Sequence, residues 1–390
     1  MSLPLLWFIL IAVLWTGYLV LEGYDFGVGL LMPILGRTDT GRRVVLNTIG
    51  PFWDGNEVWL LTAGGAMFAA FPHWYATLFS GFYLALLLIL LALIVRALGF
   101  EYRGKIDSAR WRFWWDVAIV VGSLLPAVLW GVALTNIVRG VPIDAHMEFT
   151  GSLLTLLNPV ALLGGLTTLA LFVTHGAMFL SLRTEGEIRS GARRTALTTG
   201  PVAAVLAVVL LVVVHATSGG SVWSWIAAAI AAVALLGGLF ACLRRAEGWA
   251  FAGTAVTIAG TVASYFLALY PNVMPSTTNP SYSLTITSAA STHQTLVIMS
   301  IVAAIFTPIV LLYQGWTYWV FRKRITAGHI PPAYGPGGPS EPDPSSPPPS
   351  GAPPALAGAG PKPDPLVFNS SGTNRAGVEP GEGDAAATAV

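Results

Sequence analysis

Residues 78–95 read LFSGFYLALLLILLALIV, eighteen positions without a charge. As a helix rising 1.5 Å per residue, the run is about 27 Å long, close to the ~30 Å hydrocarbon core of a bilayer. A transmembrane barrel strand would alternate apolar and polar residues, and this run does not. Working outward, the 390-residue chain is 10% charged and 54% hydrophobic, with 14 Trp. A soluble domain carries roughly 25% charge, so a soluble globular chain and a disordered one are both excluded. Net charge is +1 and no basic stripe is interleaved with aromatics, which leaves no footprint for nucleic acid. The single cysteine, Cys242, excludes a disulfide framework, a Cys-rich zinc site and an iron–sulfur cluster held by this chain alone. The fold class is therefore an all-α polytopic membrane protein embedded in the lipid bilayer.

Nine hydrophobic segments are expected as transmembrane helices: 5–31, 52–71, 78–98, 114–137, 153–182, 197–216, 222–243, 250–270 and 296–321. The first starts at once, without a basic flank, and is too long for a signal-peptide core. Basic residues fix the orientation. Arg37, Arg42 and Arg43 follow the first segment, and Arg96, Arg103, Lys105, Arg110 and Arg112 the third. Arg183, Arg189, Arg193 and Arg194 follow the fifth, Arg244 and Arg245 the seventh, and Arg322, Lys323 and Arg324 the ninth. The even connections hold Arg139 alone. The N-terminus is thus expected outside and the C-terminus in the cytoplasm of a bacterial inner membrane. Residues 1–325 form the transmembrane domain. Residues 326–390 read as a disordered cytoplasmic tail rich in Pro, Gly and Ala, because 15 of the 27 prolines fall after residue 330 and no hydrophobic period is visible there.

Acids inside a span are functional candidates by default. Glu22 and Asp25 close the first segment, while Asp54 and Glu57 open the second; each pair has the three-residue spacing that shares a helix face. Asp25 lies 18 residues beyond Trp7, about 27 Å along a helix, so both pairs are expected to cluster near the cytoplasmic surface, suited to proton exchange. Asp54 and Glu57 also complement a helix N-terminus. Glu22 and Asp25 sit at a helix end where negative charge is unfavourable, with Arg37, Arg42 or Arg43 as candidate partners. Gly23, Gly27 and Gly29 allow close approach of another helix or a break lining a cavity.

Haem needs facing axial ligands at matched depth. Of the six histidines only His175 lies well inside a span, and a lone histidine there is more simply bonded to a neighbouring helix. No metal or cofactor is expected on this chain. Asn158-Pro159, Pro126 and Pro308 are expected to kink their helices, and 270–276 (YPNVMPS) to form a rigid loop against another subunit or the headgroups.

The segments LEGYDFGVGL (21–30), NTIGPFWDGNEVWLLTAGGAMFAAF (47–71), FSGF (79–82), GFEYRGKIDSARW (99–111) and YPNVMPS (270–276) resemble subunit II of the cytochrome bd quinol oxidases over residues 1–325, in order and with similar spacing. Trp53, Gly55 and Asn56 belong to the most specific block. The resemblance implies two four-helix bundles plus one peripheral helix, packed beside a subunit I that holds two haems b, one haem d and the quinol site. It implies a complex that oxidises quinol, reduces O2 to water and generates proton-motive force without pumping, with accessory small subunits in some cases. Asp54 then looks like a proton-path carboxylate leading toward haem d, Asp25 matches a further retained acid, and Trp59 stands beside an oxygen-access route of some members. Glu57 stands where some members carry Gln; Glu22 completes the set. This chain alone is not expected to be catalytic. The alternative is an ion-coupled secondary transporter, which should show a second acid-bearing broken helix in its other half; segments five to nine carry none.

Overall fold

The computed structural model describes residues 2–330, and the tail expected from 326 lies, from 331 on, outside the described residues. Twelve α-helices are described: α1 (Leu3–Leu35), α2 (Asp39–Ile49), α3 (Trp53–Ala70), α4 (Pro72–Gly81), α5 (Tyr83–Tyr102), α6 (Ala109–Arg139), α7 (Leu153–Leu156), α8 (Pro159–Arg183), α9 (Gly186–Ser218), α10 (Val222–Leu243), α11 (Glu247–Leu269) and α12 (His293–Val320). Eight of them are long and apolar enough to cross a membrane: α1, α5, α6 and α8 to α12. α3, the second expected span, is not among these eight. Its 18 residues begin with Asp54, Asn56 and Glu57 in the first turn and a half, which dilutes its apolar character.

Residues 78–95 do not form one helix. Phe82 leaves helical geometry (φ −102°, ψ 15°) and separates α4 from α5. The cause is the connection after α6. Thr77 donates its hydroxyl to the Met147 carbonyl at 2.6 Å, and a Cβ on Gly81 would stand 2.6 Å from Phe149 Cβ. The fifth segment is likewise divided, since Asn158 caps α8 by accepting from the Ala161 N–H at 3.0 Å, with Pro159 at the first helical position. A cap, not a kink, is what Asn158-Pro159 provides. α2 was not expected. Thr38 caps it, and Val44, Val45, Thr48 and Ile49 turn one face inward.

α1 runs through the middle and packs on α3, α6, α8 and α11. α5 pairs with α6, α8 with α9, and α10 with α11, while α12 leans on α1 and α3 with Leu296 its one buried residue. The α1–α8 crossing depends on glycine. A Cβ on Gly27 would lie 2.0 Å from the Phe172 carbonyl oxygen, and one on Gly176 would lie 2.6 Å from Gly27 Cα. α1 stays unbroken, so close packing is the structural use of Gly27.

The basic connections gather at one end. Arg42 and Arg103 both reach Asp116, Arg103 also reaches Asp39, and Arg189 reaches Glu247. Arg324 donates to the Leu182 carbonyl, and Arg183 to that of Phe321. Arg42, a candidate partner of the acid pair, is thus bound to Asp116 instead. At the opposite end, Gly140 takes φ +89° to close α6, and Val141 exchanges backbone bonds with Pro275 and Thr277 at 3.1 and 3.0 Å. The 270–276 stretch forms strand β1 (Asn272–Met274), antiparallel to β2 (Leu284–Thr285), so this loop packs against a connection of its own chain. There Asp144 Oδ1 accepts from the backbone N–H groups of Glu148 and His146, which holds its carboxyl below the usual carboxylate range.

Candidate functional site

Two of the four candidate acids, Glu22 and Glu57, are bridged by a cation expected in a connection, and Asp25 lies beside them on Asn56. Arg96 lies inside α5, four residues after Ala92 and three before Gly99, on that helix's buried face. A Cβ on Gly122 would stand 2.7 Å from Arg96 Cβ, so the absence of a side chain there lets the Arg96 stem pass α6 toward α1. Its Nη2 donates to Glu22 Oε1 and, at 2.8 Å, to Glu57 Oε1. The guanidinium also sits 4.7 Å above the Phe26 ring and 5.5 Å from Phe100. Glu22, Asp25 and Arg96 are all 0% exposed, whereas the Glu57 side chain keeps 21% of its surface open.

Asp25 is reached from the other side. Asn56 Nδ2 donates to Asp25 Oδ2 at 2.7 Å and to the Tyr24 hydroxyl at 2.8 Å. The Asn56 carbonyl accepts from the Tyr318 hydroxyl at 3.1 Å and from Gln314 Nε2 at 3.4 Å, and the Tyr24 and Tyr318 hydroxyls are 2.6 Å apart. Tyr318 stacks on Phe52 with ring centroids 4.5 Å apart. Trp59 Nε1 donates to Gln314 Oε1 at 2.9 Å while its ring covers Gly17. Glu22 Oε2, Asp25 Oδ1, and Arg96 Nε and Nη1 are buried with no hydrogen-bond partner among the described residues. Such buried groups are costly unless water satisfies them.

Asp54 does not join the cluster. It is exposed and takes part in no hydrogen bond or ion pair among the described residues. The four-carboxylate cluster is therefore corrected to three acids around Arg96, with Asp54 on the surface. α1 continues to Leu35, so Asp25 lies ten residues, about 15 Å, inside its C-terminal end. Beside Asp54, a Cβ on Gly55 would meet nothing within 4 Å, and Trp53 packs against Phe100 at 5.2 Å. Arg96, Tyr24, Gln314 and Tyr318 were missed. For Arg96 a signal existed, since it is a cation within the expected 78–98 span. For the other three nothing in the spacing linked them.

A cavity of about 620 Å³ begins at Leu60, the residue after Trp59, and is lined by Leu60, Leu61, Met67, Phe79, Trp130 and Tyr265 among others. The histidines do not fit a haem. His175 Nε2 faces the Val20 carbonyl at 3.1 Å, so it carries the hydrogen, and Nδ1 faces the Thr254 hydroxyl at 2.7 Å; both nitrogens are engaged. His215 spends Nδ1 on the Leu211 carbonyl and packs against Trp225, its Nε2 buried without a partner among the described residues, and His73, His146, His293 and His329 are exposed. No group of three or more metal-ligating side chains occurs among the described residues.

Comparison with known proteins gives this geometry its context. The family model described as cytochrome bd terminal oxidase subunit II matches residues 3–321. The chain is 43% identical over 330 residues to cytochrome bd ubiquinol oxidase subunit 2 of Bacillus subtilis, covering 83% of this chain and 97% of that one. It is 38% identical to cytochrome bd-I ubiquinol oxidase subunit 2 of Escherichia coli, covering 84% and 96%. A chain of the bd oxidase from Geobacillus thermodenitrificans superposes with a TM-score of 0.67 at 17% identity, covering 83% of this chain and all of that chain, and so shares its fold. The chain belongs to the cytochrome bd terminal oxidase subunit II family, one component of an oxidoreductase complex in the bacterial cytoplasmic membrane.

Proposed function

We propose that this chain pairs with a subunit I carrying the haems and the quinol site, and carries protons from the cytoplasmic side to the partner's oxygen-reducing centre. The complex would oxidise two quinols per O2, giving two quinones and two waters, and build proton-motive force without pumping. The observation that carries this reading is the Glu57–Arg96–Glu22 ion pair set beside Asp25, buried, with four polar atoms unmatched by protein. Charge in a membrane core is retained for function. In this reading Glu57 links the exposed edge to the interior, the orphaned atoms of Glu22, Arg96 and Asp25 are where water joins the chain, and Asp54 stands at the subunit boundary.

The partner would cover the α3 face. Asp54 heads a stripe that continues through Val58, Leu61 and Phe68, which are 48%, 71% and 61% exposed. Gly55, which no described residue crowds, leaves room for a neighbouring backbone. The nine-span topology, with α3 as the second span and the basic end in the cytoplasm, follows from the same reading. O2 is apolar and would partition into the cavity beside Trp59. Haem belongs to the complex, and we assign it to the partner because this chain's histidines do not fit it. The secondary-transporter alternative has no support in the family match.

The test is O2 consumption by the purified complex carrying Asp54→Asn. Turnover severalfold below wild type, with the haem spectrum intact, is expected. Unchanged turnover would remove Asp54 from the proton route.

A further inference from the structure

The hydrogen bonds that tie α12 to the body have a fixed polarity. Indole Nε1–H can only donate, so the Gln314 atom 2.9 Å from Trp59 is its oxygen. The Gln314 amide nitrogen therefore points at Asn56, which must present its carbonyl there. The Asn56 NH2 is then turned toward Asp25 and Tyr24. The tyrosines reinforce the same sense. The Tyr24 hydroxyl accepts from Asn56, so its own hydrogen goes to Tyr318, whose hydrogen goes to the Asn56 carbonyl. Both routes end with two donors leaving Asn56, one of them on the Asp25 carboxylate.

α12 supplies these contacts although Leu296 is its only buried residue. Gln314 and Tyr318 are four residues apart, hence on one face of the helix. An amide that could turn over would offer Asp25 either a donor or an acceptor; one held at both ends offers a donor only. We propose that Trp59 and Gln314 are positioning residues: through a one-way chain Trp59→Gln314→Asn56→Asp25 they hold the donor against the acid, so that α12 sets the geometry of the proton site. The inference rests on the proton-delivery reading and deepens it.

The experiment is a double-mutant cycle on the purified complex with Trp59→Phe and Gln314→Met, which keep bulk and remove the directed bonds. O2 consumption is measured across pH, and haem content monitors assembly. Each single variant is expected to turn over about three- to tenfold more slowly, the scale of one hydrogen bond, with haem content unchanged and an altered pH–rate profile. The double variant should be no slower than the worse single, because both act through one chain. Gln314→Glu, which still accepts from Trp59 but gives Asn56 no donor, should match Gln314→Met. Wild-type turnover in both singles, or losses that multiply in the double, would overturn the inference. Asp25→Asn measured alongside separates the two levels. If it turns over normally, the proton-delivery reading fails and takes the inference with it; if it is slow while Trp59→Phe and Gln314→Met are normal, only the positioning role fails.

Discussion

The helices α1, α3, α5 and α6 and the helices α8 to α11 are two sets of apolar helices with polar groups inside, yet those groups differ in kind. In the first set, Glu22, Asp25 and Arg96 are buried charges, and several of their atoms lack protein partners. In the second, the mid-helix polar groups are hydroxyls returned to their own helix carbonyls, as in Thr174, Thr257 and Ser264, and a histidine with both nitrogens engaged. The buried charges in that set, Arg183 and Glu247, sit at helix ends at the basic end, Arg183 bonded to the Phe321 carbonyl and Glu247 paired with Arg189. The first set thus keeps incompletely satisfied charge in mid-helix, whereas the mid-helix polar groups of the second are neutral and held by hydrogen bonds.

Removing the cation from the charged set should break the contrast most severely. Arg96→Leu leaves Glu22 buried with no counter-charge, a loss of about 3–5 kcal/mol. Recovery of assembled, haem-containing complex from membranes should fall sharply, and adding Glu22→Leu should restore part of it. Near-normal recovery for Arg96→Leu alone would show that the ion pair does not hold the first set together.

The seam between the two sets comes next. Gly27→Val puts atoms where the Phe172 carbonyl already stands, and overpacking of this kind costs about 1–3 kcal/mol. The thermal midpoint of the complex should drop. Gly248→Ala, where a Cβ meets nothing within 4 Å, is the matched control and should leave the midpoint unchanged.

In the second set the effect is on stability alone. His175→Leu removes bonds to Val20 and Thr254, worth about 1–3 kcal/mol with the unsatisfied partners counted. Stability should fall modestly while the haem spectrum and the pH–rate profile stay as in wild type. A changed haem spectrum would place His175 close to a redox centre and erase the distinction drawn between the sets.

The contrast was half legible in the sequence. The apolar runs, the 222–243 span and the two acid pairs could be read from composition and spacing, because burial in lipid admits few alternatives. The break at Phe82 could not, since it depends on Met147 and Phe149 arriving from a connection almost seventy residues away. Nor could the partner of Glu22. Local spacing favoured Arg37, Arg42 or Arg43, but α2 carries Arg42 to Asp116, and it is Arg96 that the α5–α6 crossing at Gly122 turns inward. Asp54 and Glu57 look equivalent as a three-residue pair, yet the rotation of α3 puts one outside and the other on Arg96. Charged residues were visible one by one; which of them meet is decided by helix crossings.

The central claim is that the buried acids pass protons to the oxygen-reducing centre. Proton uptake can be followed with a pH-sensitive dye when the fully reduced complex, purified with its partner subunit, is mixed with O2 in weak buffer. In Asp25→Asn the uptake phase should slow at least about tenfold relative to wild type, with haem content and O2 binding unchanged. Uptake at the wild-type rate would contradict the account.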